Sequence, residues 1–127
     1  MPGYDGASFK PPGFVAEFVL RNPESGASVS GVTLLMDTGA DVTLLPRRAV
    51  EQLGAVPIAG EHCELAGFDG RRCVASVVTL DLVFLRRAFR DRYLLVEEER
   101  GILGRDILNH ITLLLDGPRR EWSEHSP

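Results

Sequence analysis

The chain reads as an all-β domain carrying one or two short helices, and three observations predict that class. Its apolar runs have strand length and are separated by clusters of Gly, Pro, Asn and Asp. One run, Val32-Thr33-Leu34-Leu35-Met36, is apolar on both faces, the pattern of a strand buried inside the molecule. Only Pro46-Arg47-Arg48-Ala49-Val50-Glu51-Gln52-Leu53-Gly54 carries full helix brackets, with Pro at the first helical position and Gly just past the end.

The elements follow in order. Residues 1–13 hold Pro2, Pro11 and Pro12 among glycines and serines and read as a flexible arm. Phe14–Leu20 is a first strand, and Asn22-Pro23-Glu24-Ser25-Gly26 is turn chemistry. Val29–Met36 is the second strand, and the bracketed helix follows after Asp41–Leu45. Glu61–Cys73 is a hairpin with its tip at Ala66-Gly67-Phe68-Asp69-Gly70, where Asp-Gly and Gly permit the positive φ of a tight turn. Val74–Leu85 and Phe89–Val96 pair around an arginine-rich turn. Arg105–His110 is a short helical segment, Ile111–Leu115 a last strand, and 117–127 a polar tail. The expected organisation is an arm (1–13), one domain (14–116) and the tail (117–127).

A chain of 127 residues holds one core, which excludes two full lobes. Its 44% hydrophobic and 25% charged residues are those of a globular protein, not a disordered one. Asp37, Asp81 and the arginines interrupt every apolar run short of a membrane span, and no signal peptide stands at the start, so a cytoplasmic protein without a membrane partner is expected. Lys10 is the only lysine among 14 basic residues, and Arg86, Arg87, Arg90 and Arg92 crowd one hairpin. With a net charge of −4 and no interleaved aromatics, that cluster reads as a solvated sheet edge rather than a nucleic-acid surface. Cys63 and Cys73 are too few for a disulfide framework; they read as buried or half-buried free thiols, with a redox clasp on the hairpin as the other reading. About a turn at 68–69, Cys63 would oppose Val74. His62, His110 and His125 lack metal-ligand spacing, so neither a metal nor a cofactor is expected.

One segment stands apart: Leu34-Leu35-Met36-Asp37-Thr38-Gly39-Ala40-Asp41-Val42-Thr43. An ionisable residue ending a buried strand is costly unless it is paired, hydrogen-bonded or functional. Two further segments follow in order. About thirty residues on comes the Gly67-Phe68-Asp69-Gly70 tip, and later Gly101-Ile102-Leu103-Gly104-Arg105-Asp106-Ile107-Leu108. This ordered trio resembles the retroviral-type aspartic proteases, the retropepsins, over about Phe14–Leu115.

The resemblance implies a closed, barrel-like acid-protease fold with a flap hairpin, and an aspartic endopeptidase. That chemistry needs two adjacent carboxylates sharing one proton, one acting as base toward water and one as acid toward the scissile carbonyl. The chain holds a single Asp-Thr-Gly, so the second carboxylate must come from Asp37 of another copy, making a homodimer. By the same resemblance Asp37 is catalytic, Thr38 braces the dyad, Gly39 offers its carbonyl to substrate, and Ala40 completes the loop. Asp41 and Arg105 are similar to a buried pair near the site; the plainer reading is a separate surface Asp and Arg. Gly67, Phe68, Asp69 and Gly70 would form the flap over a polypeptide bound extended. If the pair is buried, Arg105→Ala destabilises the dimer or the fold more than Arg90→Ala.

In retroviral enzymes the chain termini interleave into a dimer sheet, whereas neither end of this chain is strand-like. Ile111–Leu115 is a candidate interface strand, and Trp122 is either an interface anchor or a loosely packed tail residue. The alternative function is a catalytically silent peptide-binding or dimerisation module on the same fold. A third, an unrelated β domain with a chance Asp-Thr-Gly turn, leaves the other two motifs unexplained.

Overall fold

In the computed structural model, which describes residues 3–5, 13–66 and 72–125, a short strand β1 (Gly3–Asp5) pairs antiparallel with β2 (Gly13–Arg21). β2 forms a hairpin with β3 (Ser28–Met36). Alternation sets the faces: Ala16, Phe18 and Leu20 are buried while Glu17 is exposed. At the turn, Asn22 Oδ1 accepts the Glu24 N–H at 3.0 Å, and Gly26 takes φ +78°.

Next come β4 (Leu44–Pro46) and α1 (Arg47–Gln52), with Pro46 at the helix entrance and Gly54 at φ +68° past its end. The remaining elements are β5 (His62–Ala66), β6 (Arg72–Phe84), β7 (Arg87–Val96), β8 (Gly101–Leu103), α2 (Arg105–Leu108), β9 (Leu113–Asp116) and β10 (Glu121–Glu124). The ladder runs β2–β3–β8–β4–β7–β6 and returns to β2 through Leu20 opposite Leu82, so the expected barrel-like ring is closed. Phe18, Leu20, Leu34, Leu45, Leu80 and Leu82 fill it.

One crossing positions the functional loop. β8 lies between β3 and β4, parallel to the first and antiparallel to the second, although the chain reaches it long after both. The segment joining β3 to β4 must therefore pass over the end of β8. Gly101 permits this insertion, because a Cβ there would collide with the Leu44 carbonyl and the Leu34 side chain.

The structure departs from the sequence reading at both chain ends. Gly3–Asp5, expected within a flexible arm, is a strand. Within 117–127, residues Glu121–Glu124 form β10 against β9, and Trp122 is buried. Its indole N–H donates to Val15 O at 2.8 Å and its ring meets Phe84 at 5.5 Å. Trp122 thus anchors this chain's own core, neither an interface nor a loose tail.

The arginine hairpin differs too. β6 and β7 join through Leu85 and Arg86 alone, at φ 53° and 64°. Two successive left-handed residues make the two-residue turn that suits twisted strands, but without Asn or Gly the sequence does not announce it. Arg90 and Arg21 then stand directly opposite Asp81, one on each neighbouring strand. Asp81 is 2% exposed and accepts Arg90 Nε at 2.8 Å and Arg21 Nη2 at 3.0 Å. The Arg90 hydrogen bonds above all, opposed by burial and assisted by Arg21, hold its carboxyl below the ordinary 3.8. Arg90 is therefore a structural partner rather than only a solvated edge charge.

Candidate active site

Asp37 follows directly on β3. Its N–H donates to Leu103 O at 3.0 Å, so the β3–β8 ladder reaches it before the chain turns. The turn 37–40 is closed by the Ala40 N–H on Asp37 O at 3.2 Å. Asp37 is half-buried, and its Oδ1 accepts the Gly39 N–H at 2.9 Å. Among the described residues the other carboxylate oxygen has no hydrogen-bond partner. A Cβ on Gly39 would stand 3.2 Å from Oδ1, tighter than side chains ordinarily approach, so glycine keeps this bond short.

The loop is held from behind by α2. Arg105 N–H donates to Ala40 O at 2.9 Å, and Arg105 Nη1 donates to Thr38 O at 2.6 Å. Arg105 Nη2 pairs with Asp41 Oδ1. The Asp41–Arg105 pair therefore forms, but at the surface of this chain: Asp41 is 83% exposed. Thr38 and Gly39 are exposed as well.

The buried polar bracket lies one step further along the loop. Thr43, with no exposed surface, donates its hydroxyl to Asp106 Oδ1 at 2.6 Å. Its N–H donates to Asp106 Oδ2 at 3.0 Å, and its Oγ1 accepts the Gly104 N–H at 3.0 Å. Gly104 belongs here for lack of space, because a Cβ would come within 2.6 Å of the Val42 carbonyl oxygen. In the sequence Gly104 and Asp106 stand only as motif letters, and Thr43 closes the segment around Asp37 without a role of its own. A hydroxyl alone among Val42, Leu44 and Leu45 was the available signal, since buried polar atoms must find partners.

The hairpin of β5 and β6 pairs His62 with Ser76 through Ala66 with Arg72. Gly67, Phe68, Asp69 and Gly70 lie outside the described residues. The register sets Cys63 opposite Ala75 and Cys73 opposite Leu65, one position from the pairing expected about a 68–69 turn. Ala66 with Arg72 is the last described pair. Cys63 is a free thiol, but exposed rather than buried or half-buried as the sequence suggests. A groove of about 770 Å³ runs between β3, α1 and 97–100, and none of its lining residues belongs to 37–43 or 101–106. Among the described residues, no three His, Cys, Asp or Glu side chains gather as a metal site, and no helix is long and apolar enough to cross a membrane.

No protein-family model and no curated protein matches the sequence. Solved structures do match. EIAV protease, in complex with the inhibitor HBY-793, is 25% identical with a TM-score of 0.54, over 73% of this chain and 83% of that one. A retropepsin-like aspartic protease from Rickettsia conorii is 17% identical with a TM-score of 0.52, over 80% of this chain and 93% of that one. The foamy viral protease–reverse transcriptase is 14% identical with a TM-score of 0.52, over 76% of this chain but 12% of the larger protein. Two of these three neighbours are proteases over most of their length, and the fold of this chain is retropepsin-like.

Proposed function

We propose that the chain is an aspartic endopeptidase whose active site is completed by a second, identical copy. The observation that carries this is Asp37 itself. It follows a strand whose Val32 and Leu34 are buried, has one carboxylate oxygen fixed by the Gly39 N–H, and sits on a loop tied back to Arg105 and, through Thr43, to Asp106. One such carboxylate cannot serve as base and acid together, and the sequence holds no second Asp-Thr-Gly.

Two Asp37 side chains meeting across a two-fold axis share a single proton, because like charges at that distance cannot both ionise. The ionised member takes a proton from water as the water oxygen bonds to the scissile carbonyl carbon. The protonated member gives its proton to the carbonyl oxygen. Collapse of the resulting diol breaks the C–N bond: the nitrogen takes the proton from the first carboxyl, and the second recovers one from a diol hydroxyl. The dyad returns to its starting charge and titrates as a pair. Thr38 braces the two loops, the Gly39 carbonyl receives a backbone N–H of substrate, and Gly67, Phe68, Asp69 and Gly70 close over an extended polypeptide.

The test is cleavage of an unfolded protein or peptide library by wild type and Asp37→Asn. Wild type cleaves with an acid-shifted optimum, and Asp37→Asn folds but does not cleave. Cleavage by pure Asp37→Asn overturns the reading. Binding of peptides by wild type without cleavage would establish the silent module instead.

A further inference from the structure

β3 keeps part of one edge open. Its pairing with β8 covers only Leu34–Met36, and among the described residues no strand lies on that side of Ser28 to Thr33. Asp37 N–H reaches β8, and backbone groups alternate along a strand, so Leu35 and Thr33 turn theirs the same way. β8 begins at Gly101, opposite Leu34, which leaves the Thr33 N–H without a partner among the described residues. Just before it, Phe18 faces Val32 and Leu20 faces Val29, so Ser30 and Gly31 stand against Val19 alone, with Gly31 at φ +71°. This bulge bends the edge and stops a long strand from adding along it.

The open edge lines the groove of about 770 Å³ that α1 and 97–100 complete, a size within the range of ligand sites, about 300–1,000 Å³. The charge of that groove is uneven. Arg47 Nε donates to Glu97 Oε1 at 2.6 Å, and Arg100 is engaged already. Glu51, Glu98 and Glu99 are exposed and have no partner among the described residues, against Arg48 alone. An unpaired strand edge recognises a peptide backbone, and unpaired carboxylates select cationic side chains on it.

We infer that this groove binds a short, extended, basic segment of polypeptide, with its backbone against β3 at Thr33 and its Lys or Arg side chains toward Glu51, Glu98 and Glu99. The bulge limits the segment to a few residues, so charge rather than a long ladder selects it. Residues 97–100 run directly into β8, whose Leu103 carbonyl accepts the Asp37 N–H, so the groove and the Asp37 loop share one segment of chain. The service of the groove to cleavage, holding a basic stretch of substrate away from the scissile bond, rests on the proposed endopeptidase reading.

Fluorescence anisotropy tests it with a labelled, end-capped octapeptide of alternating Lys and Thr, in Asp37→Asn so that the probe stays whole. The probe binds, and adding Glu98→Gln with Glu99→Gln weakens binding about 5-fold. Glu98→Lys with Glu99→Lys removes it. Glu121→Gln with Glu124→Gln, at exposed carboxylates on β10, leaves it unchanged. Spermine, with as many cationic groups but no peptide backbone, displaces the probe at least about 10-fold less well than the unlabelled octapeptide. Absence of binding, an equal loss from the β10 pair, or displacement by spermine as effective as by the peptide overturns the groove. Activity keeps the two readings apart. Cleavage by a wild type that does not bind the probe sinks the groove alone, while probe binding by a wild type that cleaves nothing sinks the endopeptidase reading alone.

Discussion

Asp81 and Asp37 each follow a strand-rich apolar stretch, yet the fold treats the two carboxylates in opposite ways. Asp81 is buried in the middle of β6, and each flanking strand presents an arginine directly opposite it, so both oxygens are satisfied. Asp37 stands at a strand end, half-buried, with one backbone donor and an oxygen that no described residue contacts. A buried carboxylate that is fully paired has been made structural. One that is oriented but left half-satisfied is available to a substrate, a water or a second carboxylate. The comparison separates a charge used for the fold from one left oriented and half-satisfied, the one the proposed activity would use, and substitutions in each region should respond differently.

The largest stability effect is expected at the first region. Removing both arginines, Arg21→Ala with Arg90→Ala, leaves Asp81 buried and unpaired, and chemical denaturation should register a loss of about 3–5 kcal/mol. A double variant within about 1 kcal/mol of wild type would mean that Asp81 reaches water without them.

Thr43→Val comes next. It keeps the shape and the backbone N–H on Asp106 Oδ2 but removes the donor to Asp106 Oδ1 and strands the buried Gly104 N–H, so about 1–3 kcal/mol of stability is lost. Cleavage should fall as well, because this bracket fixes the Asp37 loop. Unchanged stability with unchanged activity would show that α2 holds the loop through Arg105 alone.

Single arginines sharpen the contrast. Arg90→Ala removes charged hydrogen bonds from a buried acceptor and should lower stability in chemical denaturation by more than Arg105→Ala does. Arg105→Ala, whose Asp41 partner lies at the surface, should cost at most about 1 kcal/mol of chain stability. For the fold of the single chain, this is the opposite of the order expected for a buried Asp41–Arg105 pair. The pH dependence of unfolding distinguishes them further. Asp81 in the folded chain has a pKa below the 3.8 it regains on unfolding, so the unfolded chain binds that proton more readily. Its contribution is whole above about pH 4 and is lost as pH falls toward the folded value. Wild type should therefore lose more stability than Arg90→Ala between neutral pH and about pH 3. Equal acid slopes would remove Asp81 from the account.

The smallest effect concerns the turn joining the two strands that hold Asp81 and Arg90. Arg86 occupies a left-handed conformation at φ 64°, so Arg86→Gly should stabilise the chain by about 0.5–1 kcal/mol in thermal unfolding. Destabilisation would show that the Arg86 side chain contributes more than its backbone strain costs.

What the sequence made legible follows the same physical divide. Asp37 was visible because an ionisable residue after Val32–Met36 violates local expectation. The hairpin at Asn22 and the brackets of α1 were visible because their chemistry is local. Thr43 with Asp106, and Arg21 with Asp81, were not visible because each depends on strand pairing between residues about sixty apart. The Leu85–Arg86 turn was hidden by the absence of Gly or Asn. Trp122 was hidden by polar neighbours, since in a strand only alternate residues face inward.

The central claim is that one chain carries half of a catalytic site, and a mixing titration tests it most directly. Wild type is mixed with increasing Asp37→Asn at fixed total protein, equilibrated, and assayed for cleavage. A dyad shared between copies predicts activity that falls with the square of the wild-type fraction, because only pairs with two intact Asp37 carboxylates cleave. Activity falling in simple proportion to the wild-type fraction would contradict it.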